Sequence, residues 1–355
     1  MAVVGGGQSA LAAGYYLRRT PLRFALLDDQ AGPGGAWRHA WPSLRLFSPA
    51  QWSSLPGWLM PRDPDDATDG YPSREAVLRY LAEYERRYAL PVERPVRVHA
   101  VHRDDDGFRL DTSAGDVHAR AVVSATGTWS SPVMPALPGQ REFRGVLVHS
   151  ANYAGPAPFA GRRVIVVGGG NSGAQIFAEL SEVARATWVT REPPTFLPDE
   201  VDGRYLFEQA TARYRAVQEG RTPDPPRSLG DVVMVPPVRA ARDRGVLRTE
   251  PMFVGFTPRG VVWLDGREEH VDAVIFATGF RPALEHLAPL GLVDARGRIE
   301  IAPGGSGTRA AREPRLWLLG YGEWTGFASA TLIAVGRTAR AAVDEIAVAL
   351  DAMRS

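Results

Sequence analysis

Two glycine-rich turns of one design occur in this chain, at VVGGGQSA and IVVGGGNSG. The first sets Gly5 and Gly7, with Ala10 in the third small position. The second sets Gly168, Gly170 and Gly173. Each follows an apolar β-branched run and opens an apolar helical stretch, 11–17 and 174–180. Glycines there let the backbone turn tightly and approach a pyrophosphate, which rests on helix N–H groups and the positive end of the helix dipole. Ser9 at the first turn, and Asn171 and Ser172 at the second, either contact that pyrophosphate or cap the helix. Two such turns in strand–turn–helix context imply two dinucleotides, most simply a flavin and a nicotinamide.

Each turn has its own discriminator. Asp28 ends RFALLD and Arg191 follows Thr190 at the end of ATWVTR, each 23 positions beyond the first glycine of its turn. A carboxylate at that point accepts hydrogen bonds from a ribose 2′-OH. An arginine there offers charge-assisted bonds to a 2′-phosphate. The first unit therefore reads as an FAD site and the second as an NADP site. Glu192 beside Arg191 weakens phosphate binding, so NADPH is expected, with NADH possible. Arg191 as an ordinary solvated arginine is the alternative.

The 355 residues, with formal net charge +1, suit two domains rather than one core. Near-neutral charge gives no reason to expect nucleic acid or an anionic membrane surface. No apolar run approaches the ~20 residues that span a bilayer. The first strand starts at once, although 1–4 is short for one, so no secretory leader is expected and the cytoplasm is the default location. Cysteine is absent, which excludes thiol catalysis, thiolate metal ligation and disulfides. Every one of the 41 basic residues is arginine, which excludes Schiff-base lysine chemistry and a P-loop lysine. A homodimer is the commonest soluble oligomer, and the sequence leaves the oligomeric state open.

Within the first unit, after its second strand, lies a stretch rich in Gly, Pro, Ser and Trp (32–58), too aromatic for disorder. Residues 61–72 are Asp/Pro-rich and expected to be exposed. Ser73 is placed to cap a helix running to Tyr88. Short β-like runs over 96–123 predict a small meander ending in a buried strand, which enters Ala125-Thr126-Gly127. DAVIFATGF ends likewise at Thr278-Gly279, so the two halves repeat one layout. An insertion over 193–260 carries Pro-rich stretches and a polar helix near 204–219. The C-terminal part reads as strand, Gly/aromatic loop (320–330) and long helix.

The most specific motif is FRGVLVHSANY, with Phe143, Gly145, His149 and Tyr153. At these positions the chain resembles the flavin-containing monooxygenases, whose FxGxxxHxxx-aromatic motif stands just before the NADPH fingerprint. GGAW (Gly34, Gly35, Trp37), GYPSRE from Gly70 and ATGTWSSPVMP at 125–135 agree with that family. The resemblance covers nearly the whole chain and looks closest to a short bacterial subgroup.

It implies an α/β fold of two Rossmann-like dinucleotide-binding domains, one for FAD and one for NADP. The NADP domain is inserted in the FAD domain, with borders at 1–158, 159–278 and 279–355. It implies an NAD(P)H-consuming monooxygenase that forms a C4a-(hydro)peroxyflavin with O2 as co-substrate. Soft nucleophiles (sulfides, amines) or ketones, in a Baeyer–Villiger reaction, would be its small-molecule substrates. An NAD(P)H oxidase releasing H2O2 is the alternative. It takes support from one departure: many members place an asparagine near the flavin within the segment matching 44–49, where this chain reads LRLFSP with Phe47. His149 is either a general base or a group that holds the interdomain linker by hydrogen bonds. Thr126, Thr278 and Gly279 belong to the cofactor-binding turns. Glu323 either binds a ribityl hydroxyl or is a surface charge, and Arg281 either contacts NADP or pairs with a loop acid.

Overall fold

A computed structural model describes residues 1–62, 70–205, 207–208, 212, 221, 231–326 and 328–352. The first glycine turn joins β1 (Ala2–Val4) to α1 (Gln8–Leu17), followed by β2 (Ala25–Leu27). Helix α2 (Arg74–Arg87) begins at Ser73, whose hydroxyl accepts from the Ala76 N–H as expected of a cap. Then come β3 (Val92–Glu93), the antiparallel meander β4 (Val98–Asp104), β5 (Gly107–Thr112) and β6 (Val117–Ala119), and the buried β7 (Val122–Ser124).

The second unit opens with β8 (Val146–His149) and β9 (Arg163–Val167), and its glycine turn leads into α3 (Asn171–Val183) and β10 (Arg185–Thr190). Helix α4 (Pro236–Asp243) precedes β11 (Thr249–Pro251), a second antiparallel trio β12 (Gly255–Thr257), β13 (Gly260–Val262) and β14 (Glu268–His270), and β15 (Ala273–Phe276). The chain closes with β16 (Leu316–Leu318) and α5 (Val335–Ala352).

Two five-stranded parallel sheets result, ordered β16-β7-β1-β2-β3 and β11-β10-β9-β15-β8. β1, β7, β9, β15 and β16 are buried on both faces, and alternate residues serve different layers. In the first sheet Val3, Val123 and Trp317 pack on α1, α2 and α5, while Val4, Val122 and Leu318 pack on the meander and 284–292. In the second, Val166, Trp188 and Ile275 meet α3 and α4, while Val167, Val189 and Phe276 meet Phe253, Phe256 and Trp263 beside the second trio. Each unit is thus helix layer, parallel sheet, antiparallel trio. The last strand and helix join the first sheet and α1.

Two details differ from the sequence reading. β8 lies within 1–158 but pairs with β15 in the second sheet. Its sequence, VLVH, reads as a strand that either sheet can accept, and it lies at the sheet edge with Val146 exposed. β11 was subsumed in the insertion, yet it is an edge strand; TEP has the proline and polarity that an edge tolerates. Most of the expected polar helix at 204–219, and residues 63–69 of the Asp/Pro-rich stretch, lie outside the described residues.

Candidate functional site

The duplication extends to single hydrogen bonds. Gly5 N–H donates to the Leu27 carbonyl and Ala125 N–H to Val4, at 2.8 Å each; Gly168 N–H donates to Val189 and Ala277 N–H to Val167, at 2.9 and 2.7 Å. Gly5 (φ +116°) and Gly168 (φ +133°) are in conformations that favour glycine. A Cβ on either would lie 2.5 Å from the Ala125 carbonyl oxygen or 2.3 Å from that of Ala277. Each fingerprint glycine therefore rests on the ATG turn that follows the neighbouring strand of its own sheet.

The helix starts fit anionic ligands. Gly7 caps α1 and Gly170 caps α3, neither with a side-chain hydrogen bond and neither with an acidic residue in the first turn. A Cβ on Gly170 would meet nothing within 4 Å, and one on Gly7 only the Gly35 Cα, at 3.8 Å. Unpaired N–H groups facing open space are what a pyrophosphate needs. Gly173 is a packing position instead, since a Cβ there would lie 2.1 Å from the Gly168 carbonyl oxygen. Ala10 is likewise fully buried.

Around the first turn, Gly35 is in the left-handed region (φ +52°) and abuts Gly7, where a Cβ would lie 2.6 Å from the Gly7 Cα. Trp37 Nε1 donates to Gln8 Oε1 (3.0 Å), and Gln8 Nε2 donates to the Ala330 carbonyl (2.6 Å). Gln8, unremarked in the sequence, thus ties the 34–37 loop to the C-terminal loop. Asp28 is buried against Gly6, with Oδ2 paired to Arg94 Nε (2.5 Å) and Oδ1 accepting from the Gln30 N–H (3.3 Å). Burial outweighs Arg94 and raises its pKa above the ordinary carboxylate value. The expected ribose carboxylate is thus already half engaged by a partner that the glycine spacing does not reveal. The Ser9 hydroxyl is buried against Gly320 rather than turned to the open side of the loop.

At the second turn the Asn171 side chain has two protein partners. Its Nδ2 donates to the Asp231 carbonyl and its Oδ1 accepts from the Val233 N–H, so its amide holds the 231–233 segment. Ser172 is exposed, Thr190 is buried beside Gly169, and Arg191 and Glu192 are exposed at the end of β10.

The two ATG turns are joined to each other. Thr278 Oγ1 donates to the Val133 carbonyl (2.5 Å), Val133 N–H to Gly279 (3.0 Å), and Arg281 N–H to Ser131 (2.8 Å). The two interdomain crossings thus form one ribbon. Thr126 Oγ1 donates to the Ala283 carbonyl (2.7 Å) and contacts the Tyr321 hydroxyl (2.7 Å), which also meets Ser124 Oγ (2.5 Å). Ser124 contacts His286 Nε2 at 3.0 Å. Only one order of donation satisfies all these contacts: His286 to Ser124 to Tyr321 to Thr126 to the carbonyl. Burial fits that order, raising the Tyr321 pKa and lowering His286 to about 4. Both threonines thus serve the crossing.

His149 is 2 % exposed. Its Nδ1 accepts from the Ala151 N–H (3.1 Å), which puts the proton on Nε2, and that atom lies near the Gly279 carbonyl without a well-formed hydrogen bond. Burial lowers its pKa, and Phe280 packs edge-on at 5.0 Å. A buried ring held by the Ala151 N–H and packed on Phe280 is placed to order the crossing. The rest of its motif is also packed: Tyr153 is buried beside Trp41 and Phe159, and Gly145 lies under Phe143.

Phe47 is half-buried where the units meet. It packs on Phe207, Ala328 and Ala334, and its carbonyl accepts from the Gly203 N–H (2.8 Å). Next to it a cleft of about 550 Å³ opens between 49–51, 70–72 and 199–204, lined by Tyr71, Pro72, Asp202 and Arg239 among others. A cavity of this size at a domain junction suits a small molecule. Glu323 is exposed on the C-terminal loop. That loop holds itself by Ser329 Oγ donating to the Gly322 carbonyl and by the Thr325–Ser329 hydroxyl pair.

Comparison with known proteins agrees with this geometry. The signature of the pyridine nucleotide-disulphide oxidoreductase family matches residues 2–202. The chain is 51% identical to the flavin-containing monooxygenase from Stenotrophomonas maltophilia, covering 98% of each chain with a TM-score of 0.89. It is 35% identical over 205 residues to an uncharacterized CzcO-like oxidoreductase of Geobacillus kaustophilus, a match spanning 58% of each chain. It is 29% identical over 325 residues to the indole-3-pyruvate monooxygenase YUCCA1 of Oryza sativa subsp. japonica, spanning 79% of this chain and 76% of the relative. Having no cysteine, it lacks the thiols that a disulphide reductase needs. The chain belongs to the pyridine nucleotide-disulphide oxidoreductase family and, within it, is a flavin-containing monooxygenase.

Proposed function

We propose that the protein is an FAD-dependent, NAD(P)H-consuming monooxygenase for small soft nucleophiles, sulfides and amines, or for ketones by Baeyer–Villiger reaction. One observation carries the reading: two glycine turns with the same backbone hydrogen bonds, each opening a helix that has no side-chain cap and no acidic residue in its first turn. The first turn, Gly35 and Asp28 would hold FAD, with Trp37 and Gln8 closing the loop over it. The second turn and Arg191 would hold NADPH, with NADH the weaker alternative because Glu192 stands beside Arg191. Held there, a flavin would supply hydride acceptance from the nicotinamide and the oxygen-activating chemistry of a monooxygenase. The chain's own residues orient the rings and keep water out. Phe47, Phe207 and Ala328 supply an apolar wall for that purpose, and His149 keeps the crossing in register. A cytoplasmic location and a homodimeric assembly complete the proposal.

A second reading, an NAD(P)H oxidase releasing H2O2, rests on Phe47 standing where many relatives carry an amide. One experiment separates the two. FAD-loaded protein is reduced anaerobically with NADPH and mixed with oxygenated buffer in a stopped-flow spectrometer. An oxygen adduct that forms before oxidised flavin returns is the expected result. Direct return with stoichiometric H2O2 would favour the oxidase, and protein that binds no flavin would defeat both.

The Arg191 assignment has its own check. Arg191→Ala is expected to raise KM for NADPH about tenfold or more, the worth of a charge-assisted bond to phosphate, and to leave KM for NADH nearly unchanged. Equal effects on the two cofactors would show that Arg191 does not read the 2′-phosphate.

A further inference from the structure

Helix α3 grips the flavin-side unit as well as carrying the second glycine turn. Asn171, Gln175 and Glu179 recur at every fourth residue and share one face. Asn171 holds 231–233, as described. Gln175, only 5 % exposed, donates from Nε2 to the Arg45 carbonyl and accepts at Oε1 from the Arg45 N–H, both at 3.2 Å. Glu179 accepts from the Ser43 hydroxyl. The spacing matches: four helical residues rise about 6 Å, and two residues of extended chain span about 6.6 Å.

The other edge of that segment is already paired. Leu46 N–H donates to the Pro72 carbonyl (3.0 Å) and Arg74 N–H to Leu44 (3.1 Å), flanking the antiparallel bridge between Arg45 and Ser73. Backbone groups of alternate residues in an extended chain point to opposite edges, so those of Arg45 face α3. The Gln175 amide stands in for the missing neighbouring strand and satisfies both groups at once. Two residues further along is Phe47, held from its other side by Gly203 and Phe207.

We propose that Gln175 is a positioning residue: it fastens Phe47, the wall beside the cleft, to the helix whose N-terminus takes the nicotinamide dinucleotide, so that filling that site steadies 43–47. The inference rests on the dinucleotide reading of the second glycine turn. It explains why an apolar helix buries a glutamine four residues beyond its first residue, where a leucine would pack without needing partners.

The test is hydrogen exchange of the whole flavin-loaded protein, with and without saturating NADP⁺. In wild type, NADP⁺ slows exchange across 43–47 by about fivefold, the low end of ordinary site-to-site coupling. In Gln175→Leu the same segment exchanges faster and ignores NADP⁺, although equilibrium dialysis still shows NADP⁺ bound. Gln175→Glu is the second variant. Its carboxylate repels the Arg45 carbonyl at neutral pH, whereas the protonated acid donates and accepts as the amide does. The NADP⁺ response therefore returns as pH is lowered toward about 5. A wild-type response in Gln175→Leu overturns the proposal whatever happens to its melting temperature. So does wild-type protein whose 43–47 exchange ignores bound NADP⁺, or a Gln175→Glu response that does not change with pH. Wild-type protein that binds no NADP⁺ by dialysis rejects the dinucleotide reading itself, and the coupling with it.

Discussion

Arg94→Leu is expected to cost about 3–5 kcal/mol of stability and to strip the protein of flavin. Arg94 bridges two elements of the first unit. Its Nη1 and Nη2 donate to the two oxygens of Glu85 on α2 at 2.7 and 2.8 Å, and its Nε donates to Asp28 at 2.5 Å. The arginine side chain is 11% exposed and that of Asp28 only 4%. Leucine would leave the buried Asp28 and the half-buried Glu85 without their cation, and Asp28 lies against the glycine turn. Arg94→Lys keeps the charge but not the fork, so it should recover part of the loss.

The pH dependence carries a definite sign. The Asp28 pKa is already raised by burial in the presence of Arg94, and removing Arg94 raises it further. A carboxyl whose folded pKa exceeds its unfolded value destabilises the fold above the folded value. That loss is relieved as pH falls through the folded pKa toward the ordinary value of about 3.9. Arg94→Leu should thus approach wild type on acidification. Urea unfolding followed by tryptophan fluorescence, together with bound flavin by absorbance, checks both claims. An unchanged urea midpoint and full flavin content at neutral pH would refute them.

The sequence revealed what is periodic or locally constrained. Both glycine turns, the Ser73 cap and the meander are short-range patterns, and each appears where its residues place it. Partners brought in by topology were not legible. Nothing in the spacing of LLDD points to an arginine 66 positions away, and Gln8 and Gln175 look like ordinary helical polar residues until their loops arrive. Nor did the motifs show the partners of Asn171, Thr126 and Thr278. Each stands in an expected cofactor-binding turn and also gives a side-chain hydrogen bond to the protein's own crossings or loops. Strand β8 shows a further limit: an apolar run reads as a strand without naming the sheet it joins.

The two glycines of the second turn should respond oppositely to the same added methyl group. At Gly168, φ is +133° and the Cβ of alanine would lie 2.3 Å from the Ala277 carbonyl oxygen. A left-handed conformation alone costs a non-glycine residue about 1–2 kcal/mol, and the overlap is with backbone that cannot swing aside. Gly168→Ala is therefore expected to lose at least about 3 kcal/mol, as substitutions at special backbone positions do, and to be poorly soluble. At Gly170, φ is −92° and the Cβ meets nothing within 4 Å. The fold has no quarrel with alanine there. The methyl group instead enters the space in front of the α3 N–H groups, where a pyrophosphate must come close. Gly170→Ala should melt within a degree or two of wild type, inside the usual range for neutral substitutions, yet bind NADP⁺ about tenfold or more weakly, a loss of roughly 1.4 kcal/mol. Thermal melts and equilibrium dialysis on both variants decide the matter. Normal NADP⁺ binding by Gly170→Ala would mean that the open space before α3 is not where the dinucleotide lies.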